Sequence, residues 1–502
     1  MQKAVLLTVL LGLSMRRCAE NVTAQGALWS DHINDIAVNH SRALSHALRP
    51  RYARLLEVLN SGGHAEVIAI GGSIPAGRSC NSSDERASRT ECAYPARFSA
   101  WLSSYYCLPI GNLGFSNRAT GGTTTAGSLP QLPELLLQDR ATLGLLLVDF
   151  GLNDMYTGQY DESKHHHRAI DADNADVSTS PVAGATEALL LHILSHTSLA
   201  VVLIEGSCAS ESVASHRAHQ RVASWYGVPM LSYTAALNPK LAHICGRGGT
   251  GRAVWASAHK GTHPGAGTHR LIADAMSLWW KSFASTLEKQ QFAQTEAQLL
   301  HTPLPPPLVE QHVRERFFVC ERSRTTYDAV HSFACGASGS LHDTAVDVTY
   351  SERCRVVPLP RVVNGSWTLV EDRVGKPGWI TSGPRGARIE FDLEFGLESA
   401  MATIVYDTSY EGFGRVALTA SYAPGMALVL DGLAPTGSFN VTQTEVLSLN
   451  FRRGIDLYPR PGHIPPLPKV NMSANSRSRI TLALTLLSDA PSKFKVRHVA
   501  SC

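Results

Sequence analysis

Beyond Met15 the chain has no apolar run long enough to cross a bilayer as a helix. It has no excess of one charge either: 45 Lys and Arg stand against 42 Asp and Glu, a formal net charge of +3. The basic residues are scattered, with no stripe interleaved with aromatics, and this argues against nucleic acid as a partner. No repeat array is visible. What is present is the composition of a folded protein, 44% hydrophobic and 17% charged. At 502 residues the chain is too long for one ordinary core, so two domains are expected.

The N-terminus reads as a leader. Lys3 precedes an apolar block, Ala4 to Met15, too short to span a bilayer and of the length of a secretory h-region. Residues 1–24 are therefore expected to be a signal peptide, and the mature chain to be secreted or at the cell surface with no stable membrane insertion. Glycosylation sequons at Asn21, Asn39, Asn81, Asn364, Asn440 and Asn471 agree with that route. So do the 10 cysteines. Cys80 and Cys92 bracket a polar segment and are expected to be joined. Cys320, Cys335, Cys354 and Cys502 could form two bridges in the C-terminal third. Cys107, Cys208 and Cys245 cannot be paired from sequence, and each reads equally as a buried free thiol.

Residues 49–285 alternate strand-like and helix-like blocks. The strand candidates are "VIAIGG", "GLLLVDFG", "SLAVVLIEG" and "VPMLSY"; the helical stretches between them include "YPARFSAWLSSYY", "ATEALLLHILSH" and "SVASHRAHQRVASWYG". Such alternation predicts an α/β domain, a parallel sheet with helices on both faces. Residues 286–318, with "HTPLPPPLVE" inside, read as a proline-stiffened linker. From 319 to 502 short alternating runs such as "ARIEFDLEFG", "MATIVYD" and "RITLALTLLSD" follow without a convincing helix, the pattern of an all-β sandwich.

Four blocks in the first region carry chemistry. "VIAIGGSIPAG" brings an apolar strand to an abrupt Gly-Gly turn that presents Ser73. "SNRATGGTTTAG" holds Gly121 and Gly122 in a loop whose backbone N–H could face a ligand. "LLLVDFGLNDMY" ends a strand at Gly151, Asn153 and Asp154, where an amide can donate to an oxyanion. "AHKGTHPGAGTHRLIADAM" sets His263 in a Gly-rich loop before the last helix, within reach of a serine across the sheet.

In this order and spacing the four blocks resemble the SGNH (GDSL) hydrolase superfamily over roughly residues 65 to 285. The "GGSxxxG" start, the cysteine after it and the "GWI…SYEGFG" stretch also resemble SGNH-like proteins of algae and other protists. The resemblance implies a flavodoxin-like three-layer domain followed by a sandwich or jelly-roll-like β-domain. It implies Ser73 as nucleophile and His263 as general base. The oxyanion hole would be the N–H of Ser73, that of Gly122 (Gly121 if the loop is shifted) and the Asn153 amide. A serine hydroxyl needs a base, and the tetrahedral intermediate needs fixed donors, so the division of roles is chemically sound. No metal or other cofactor is required.

Two departures stand out. Gly72 occupies the position where the superfamily usually has Asp. Lys260 occupies the position, three before the histidine, of the acid that usually orients it. An ammonium cannot accept the His263 Nδ1–H and opposes a developing imidazolium. A backbone carbonyl or another carboxylate then takes that role, or the enzyme is slow or inactive; His259 is adjacent but a weak substitute.

Other features read as structural. His165, His166 and His167 lie in a polar loop, His216 and His219 on a polar helical stretch expected at the surface, and Trp279 and Trp280 in a helix where they pack. Asp149 and Asp154 could pair as acid and base, although Asp154 reads better as a brace for the Asn153 turn; Asp149 has no role in this reading. The expected function is a secreted carboxylic-ester hydrolase removing O-acyl or O-acetyl groups from glycans. The alternatives are a glycan O-acyltransferase and a degenerate glycan-binding module, the last favoured by Lys260.

Overall fold

The computed structural model describes residues 45, 47–80, 86–132, 143–157, 177–206, 213–233, 263–288, 303–314, 317, 319, 325–329, 332, 358–372, 376–395, 401–409, 411–422, 427–433, 443–450, 455–456, 479–489 and 492–502. They fall into two compact units. One holds the described residues of Met1–Gly121, Glu134–Tyr160 and His166–Glu310; the other holds those of Gly122–Pro133, Asp161–His165 and Gln311–Cys502.

The first unit is α/β. Its strands are β1 (Ala65–Gly71), β2 (Leu113–Asn117), β3 (Gly144–Asp149), β4 (Ala200–Glu205) and β5 (Met230–Ser232). They form one parallel sheet in the order β2-β1-β3-β4-β5. Every residue of β3 and β4 is buried, as expected of strands covered on both faces and of runs as apolar as "GLLLVD" and "AVVLIE". Helices α1 (Arg49–Asn60), α3 (Tyr94–Tyr105) and α7 (Ala266–Glu288) pack together. So do α4 (Gly151–Thr157), α5 (Pro181–His196) and α6 (Val213–Tyr226), while the short α2 (Arg86–Cys92) lies beside α3. Trp279 and Trp280 are fully buried; Trp279 stacks on Phe283 at 5.0 Å, and the Trp280 Nε1–H donates to the Tyr106 hydroxyl at 2.9 Å. They pack, as read from sequence.

The strand order decides where a ligand can sit. From β1 the chain adds β2 on one side and β3, β4 and β5 on the other, so the order reverses between β1 and β3. In open α/β sheets ligands bind outside the carboxyl ends of the strands at that point. Ser73 follows β1 and Asn153 follows β3, and the register pairs Gly71 with Asp149, so both segments leave the sheet side by side.

The second unit is all-β. One sheet has the order β13-β12-β16-β10-β7, with β7 (Arg361–Asn364), β10 (Arg388–Glu394), β12 (Arg415–Ala420), β13 (Ala427–Asp431) and β16 (Arg479–Leu486). The other has the order β15-β14-β11-β17-β9-β8: β8 (Thr368–Glu371), β9 (Pro377–Thr381), β11 (Met401–Thr408), β14 (Gln443–Asn450), β15 (Ile455–Asp456) and β17 (Phe494–Ser501), with β6 (Thr325–Asp328) pairing β17. All pairings are antiparallel. Inward residues of both sheets, among them Phe391, Leu393, Ile404, Leu418, Leu482 and Val499, share one core.

Residues before this unit are anchored on the first. The N–H groups of Leu308 and Val309 donate to the Glu187 carboxylate at 2.6 and 3.2 Å, and the exposed Trp225 donates its indole N–H to the Pro306 carbonyl at 2.7 Å. This part of the Pro-rich stretch is strapped to α5 and α6.

Candidate active site

The Gly71-Gly72 turn is closed against the end of β3. The Gly72 N–H donates to the Asp149 carbonyl at 2.9 Å. Gly71 has φ +153°, and a Cβ there would lie 2.1 Å from the same carbonyl oxygen, so only glycine fits. The turn then tightens through Gly77 N–H to Ile74 carbonyl and Arg78 N–H to Ser73 carbonyl bonds. The Cys80–Cys92 disulfide ties its exit to α2, as the bracketed polar segment predicts. Cys107 is also disulfide-bonded and exposed, not a buried free thiol, and Cys502 is disulfide-bonded as well.

Ser73 is buried at the end of this turn, and His263 reaches it from the segment leading into α7: Nε2 lies 2.8 Å from Ser73 Oγ. That is the hydrogen bond a nucleophile and its base require. The two residues are 190 apart in sequence, and the sheet brings them together. Asn153 is buried on the first turn of α4, its N–H donating to the Phe150 carbonyl at 2.9 Å. Beside the nucleophile turn, the Asn117 amide donates to the Pro75 carbonyl at 2.7 Å, and the Thr120 N–H donates to the Gly71 carbonyl at 2.9 Å. The glycine loop continues from there. Gly122 itself belongs to the all-β unit: it has φ +79°, and its carbonyl accepts from the Thr444 N–H at 3.0 Å. His259, Lys260 and the run His165 to His167 lie outside the described residues.

The architecture is similar to that of a solved protein. A solved two-domain esterase (CEX) active on acetylated mannans matches over 90% of this chain and 94% of its own, at a TM-score of 0.52 and 15% identity. The likeness is one of fold: an α/β unit with a parallel sheet and a unit of antiparallel sheets. Similarity is also found to Axe2, an acetylxylan esterase from Geobacillus stearothermophilus (14% identity, TM-score 0.32, 44% of this chain and 95% of that one). No protein-family profile matches the chain, and no curated protein matches it in sequence.

In the α/β unit two histidine expectations need correction. His219 is not a surface residue: it is buried, and its ring bridges two carboxylates. Nε2 lies 3.0 Å from Asp154 Oδ2 and Nδ1 lies 3.2 Å from Glu205 Oε2. His216 is half-buried, its Nδ1 3.9 Å from Glu205 Oε2. The polar face of α6 is turned toward carboxylates at strand ends, which helical periodicity alone does not show. Asp149 and Asp154 bond to different partners. Asp154 bonds His219, whereas Asp149 accepts from the Tyr94 hydroxyl at 3.0 Å. Burial first, and Glu205 second, push the Asp149 carboxyl up to about 8, so it is protonated at neutral pH.

Glu205 was missed in the sequence, although a signal existed. "VVLIE" and "LLLVD" each end a wholly apolar strand on a carboxylate, and a buried acid at a strand end needs partners. Glu205 also explains Gly151. A Cβ at Gly151 would lie 1.7 Å from Glu205 Oε1, and that carboxylate is held by His219 and cannot swing away cheaply. Gly151→Ala is therefore expected to destabilise the fold by about 1–3 kcal/mol, the usual range for overpacking. Denaturant titration checks this; an unchanged midpoint would mean that Glu205 moves freely.

Proposed function

We propose that this chain is a serine ester hydrolase that removes acyl groups, acetyl foremost, from glycans through an acyl-serine intermediate. The observation that carries the reading is the 2.8 Å contact of Ser73 Oγ with His263 Nε2 at the sheet's switch point. In this mechanism the Ser73 hydroxyl donates to Nε2, passes its proton to the ring and attacks the ester carbonyl. As the tetrahedral intermediate collapses and its C–O bond to the sugar breaks, the imidazolium protonates the leaving sugar oxygen, which departs as a free hydroxyl. Water, deprotonated by the same ring, releases the acid. The N–H of Ser73 and the Asn153 amide are assigned to the oxyanion.

The glycan half of the proposal is supported by the solved neighbour of like architecture, which acts on acetylated mannans. Secretion belongs to the same proposal, supported by the apolar N-terminal block and by the disulfide-bonded Cys80, Cys92, Cys107 and Cys502. A second reading, a glycan-binding module without turnover, is favoured by Lys260 in the place of the orienting acid. Incubation with acetylated glucomannan and with p-nitrophenyl acetate separates the two. The hydrolase is expected to release acetate from both substrates. Binding of the polysaccharide with no acetate release from either would establish the module, and acetyl transfer to added sugar in preference to water would establish the acyltransferase.

A further inference from the structure

The buried cluster beneath the nucleophile turn has no part in the serine–histidine chemistry described above. It draws on five elements: Tyr94 from α3, Asp149 from β3, Asp154 from α4, Glu205 from β4 and His219, with His216 and Arg217 beside it, from α6. At its centre each ring nitrogen of His219 faces a carboxylate oxygen. Ionised carboxylates only accept hydrogen bonds, so the ring satisfies both only by donating from both nitrogens, as an imidazolium.

The position of one partner gives the arrangement its consequence. Asp154 follows Asn153 in the first turn of α4, and the N–H groups of both donate to the Phe150 carbonyl, at 2.9 and 3.0 Å. That shared bond fixes the turn at its backbone. The Asp154–His219–Glu205 chain fixes it a second time, through side chains, to the end of β4. Removing the ring would leave two buried carboxylates facing each other and free the turn on that side.

We propose that His219 is a positioning residue: clamped between Asp154 and Glu205, it sets the turn that aims the Asn153 amide at the oxyanion. The proposal rests on the assignment of Asn153 as an oxyanion donor. Electrostatics supports it. Burial alone would push His219 down, but the bonds to Asp154 and Glu205 outweigh burial and raise it to about 10. The clamp is then charged throughout the neutral range. Asp149, protonated at neutral pH, adds negative charge to the cluster only as pH rises through about 8.

A double-mutant cycle between His219→Gln and Asn153→Ala, read on p-nitrophenyl acetate, tests the idea. His219→Gln alone is expected to lower kcat by about 10- to 100-fold, the size of an ångström-scale misplacement, with KM within about twofold. In the Asn153→Ala background the same change should have little further effect, because the donor it aims is already gone. The wild-type kcat should also decline as pH rises through about 10, and His219→Gln should lack that limb. Multiplicative losses in the double variant, or a fall confined to KM, would overturn the proposal. An Asn153→Ala variant of normal kcat would overturn both this proposal and the oxyanion assignment; a damaged Asn153→Ala with an unaffected His219→Gln would overturn this one alone. If His219→Gln does not fold, Asp154→Ala takes its place in the cycle, with the same expectation and the same overturning results.

Discussion

Ser73→Ala is expected to lower kcat for ester hydrolysis by about 10⁴-fold or more while leaving the fold intact. The size follows from chemistry: without Oγ no acyl-enzyme forms, and what remains is attack by water in a site that still holds its oxyanion donors. The preserved fold follows from geometry. The turn is held by backbone bonds, from the Gly72 N–H to the Asp149 carbonyl and from the Arg78 N–H to the Ser73 carbonyl, and by the Cys80–Cys92 disulfide. None of these involves the hydroxyl. Among the described residues the hydroxyl bonds to His263, which is half-buried and can turn to water instead. Tm should stay within a few degrees, as for a loss of about 1 kcal/mol or less. Steady-state kinetics beside a thermal melt checks both halves. Turnover surviving in a clean preparation would remove Ser73 from the mechanism.

What the sequence revealed and what it concealed have physical reasons. Ser73 and Asn153 stand out because each follows the break of an apolar run, and His263 because a Gly-rich loop sets it before the last helix. An apolar run ends at glycine, and the next residue must be at a strand end. β2, "LGFSN", was not legible. It is an edge strand pairing only with β1 and only half-buried, so it never needed the apolar run that marked its neighbours. The short strands β6 to β8 and β15 were hidden for the same reason of brevity, and β7 and β8 are mostly exposed. His219 was misread for another reason. α6 is amphipathic, and a polar helix face by itself reads as solvated; this face instead meets Glu205 at the end of β4 and Asp154 on α4, which the sequence of α6 does not reveal. Buried ion pairs between elements leave no periodic trace, because each partner looks like an ordinary surface residue in its own segment. The same limit applies to Asp149, whose hydrogen-bond partner Tyr94 lies 55 residues earlier on α3.

His263→Ala is expected to be about as damaging as Ser73→Ala, and the double variant no worse than either. The argument is that the two residues act as one unit. The hydroxyl is a poor nucleophile until Nε2, 2.8 Å away, takes its proton, and the ring has no separate role in binding the acyl group. Removing either therefore removes the same step. The pH profile provides an independent sign. In the wild type, activity should fall as pH is lowered, because a protonated Nε2 cannot accept from Oγ. The residual rate of His263→Ala should lose that acid limb. Added imidazole should restore part of the rate by entering the space the ring leaves, and it should do nothing for Ser73→Ala. Lys260 sharpens the test. Three residues before His263 in the sequence, it supplies no carboxylate to orient the ring or to stabilise the imidazolium that forms during acyl transfer. If that handicap is so large that the ring contributes nothing, His263→Ala would hydrolyse esters as fast as the wild type, and the serine–histidine mechanism would fall with it.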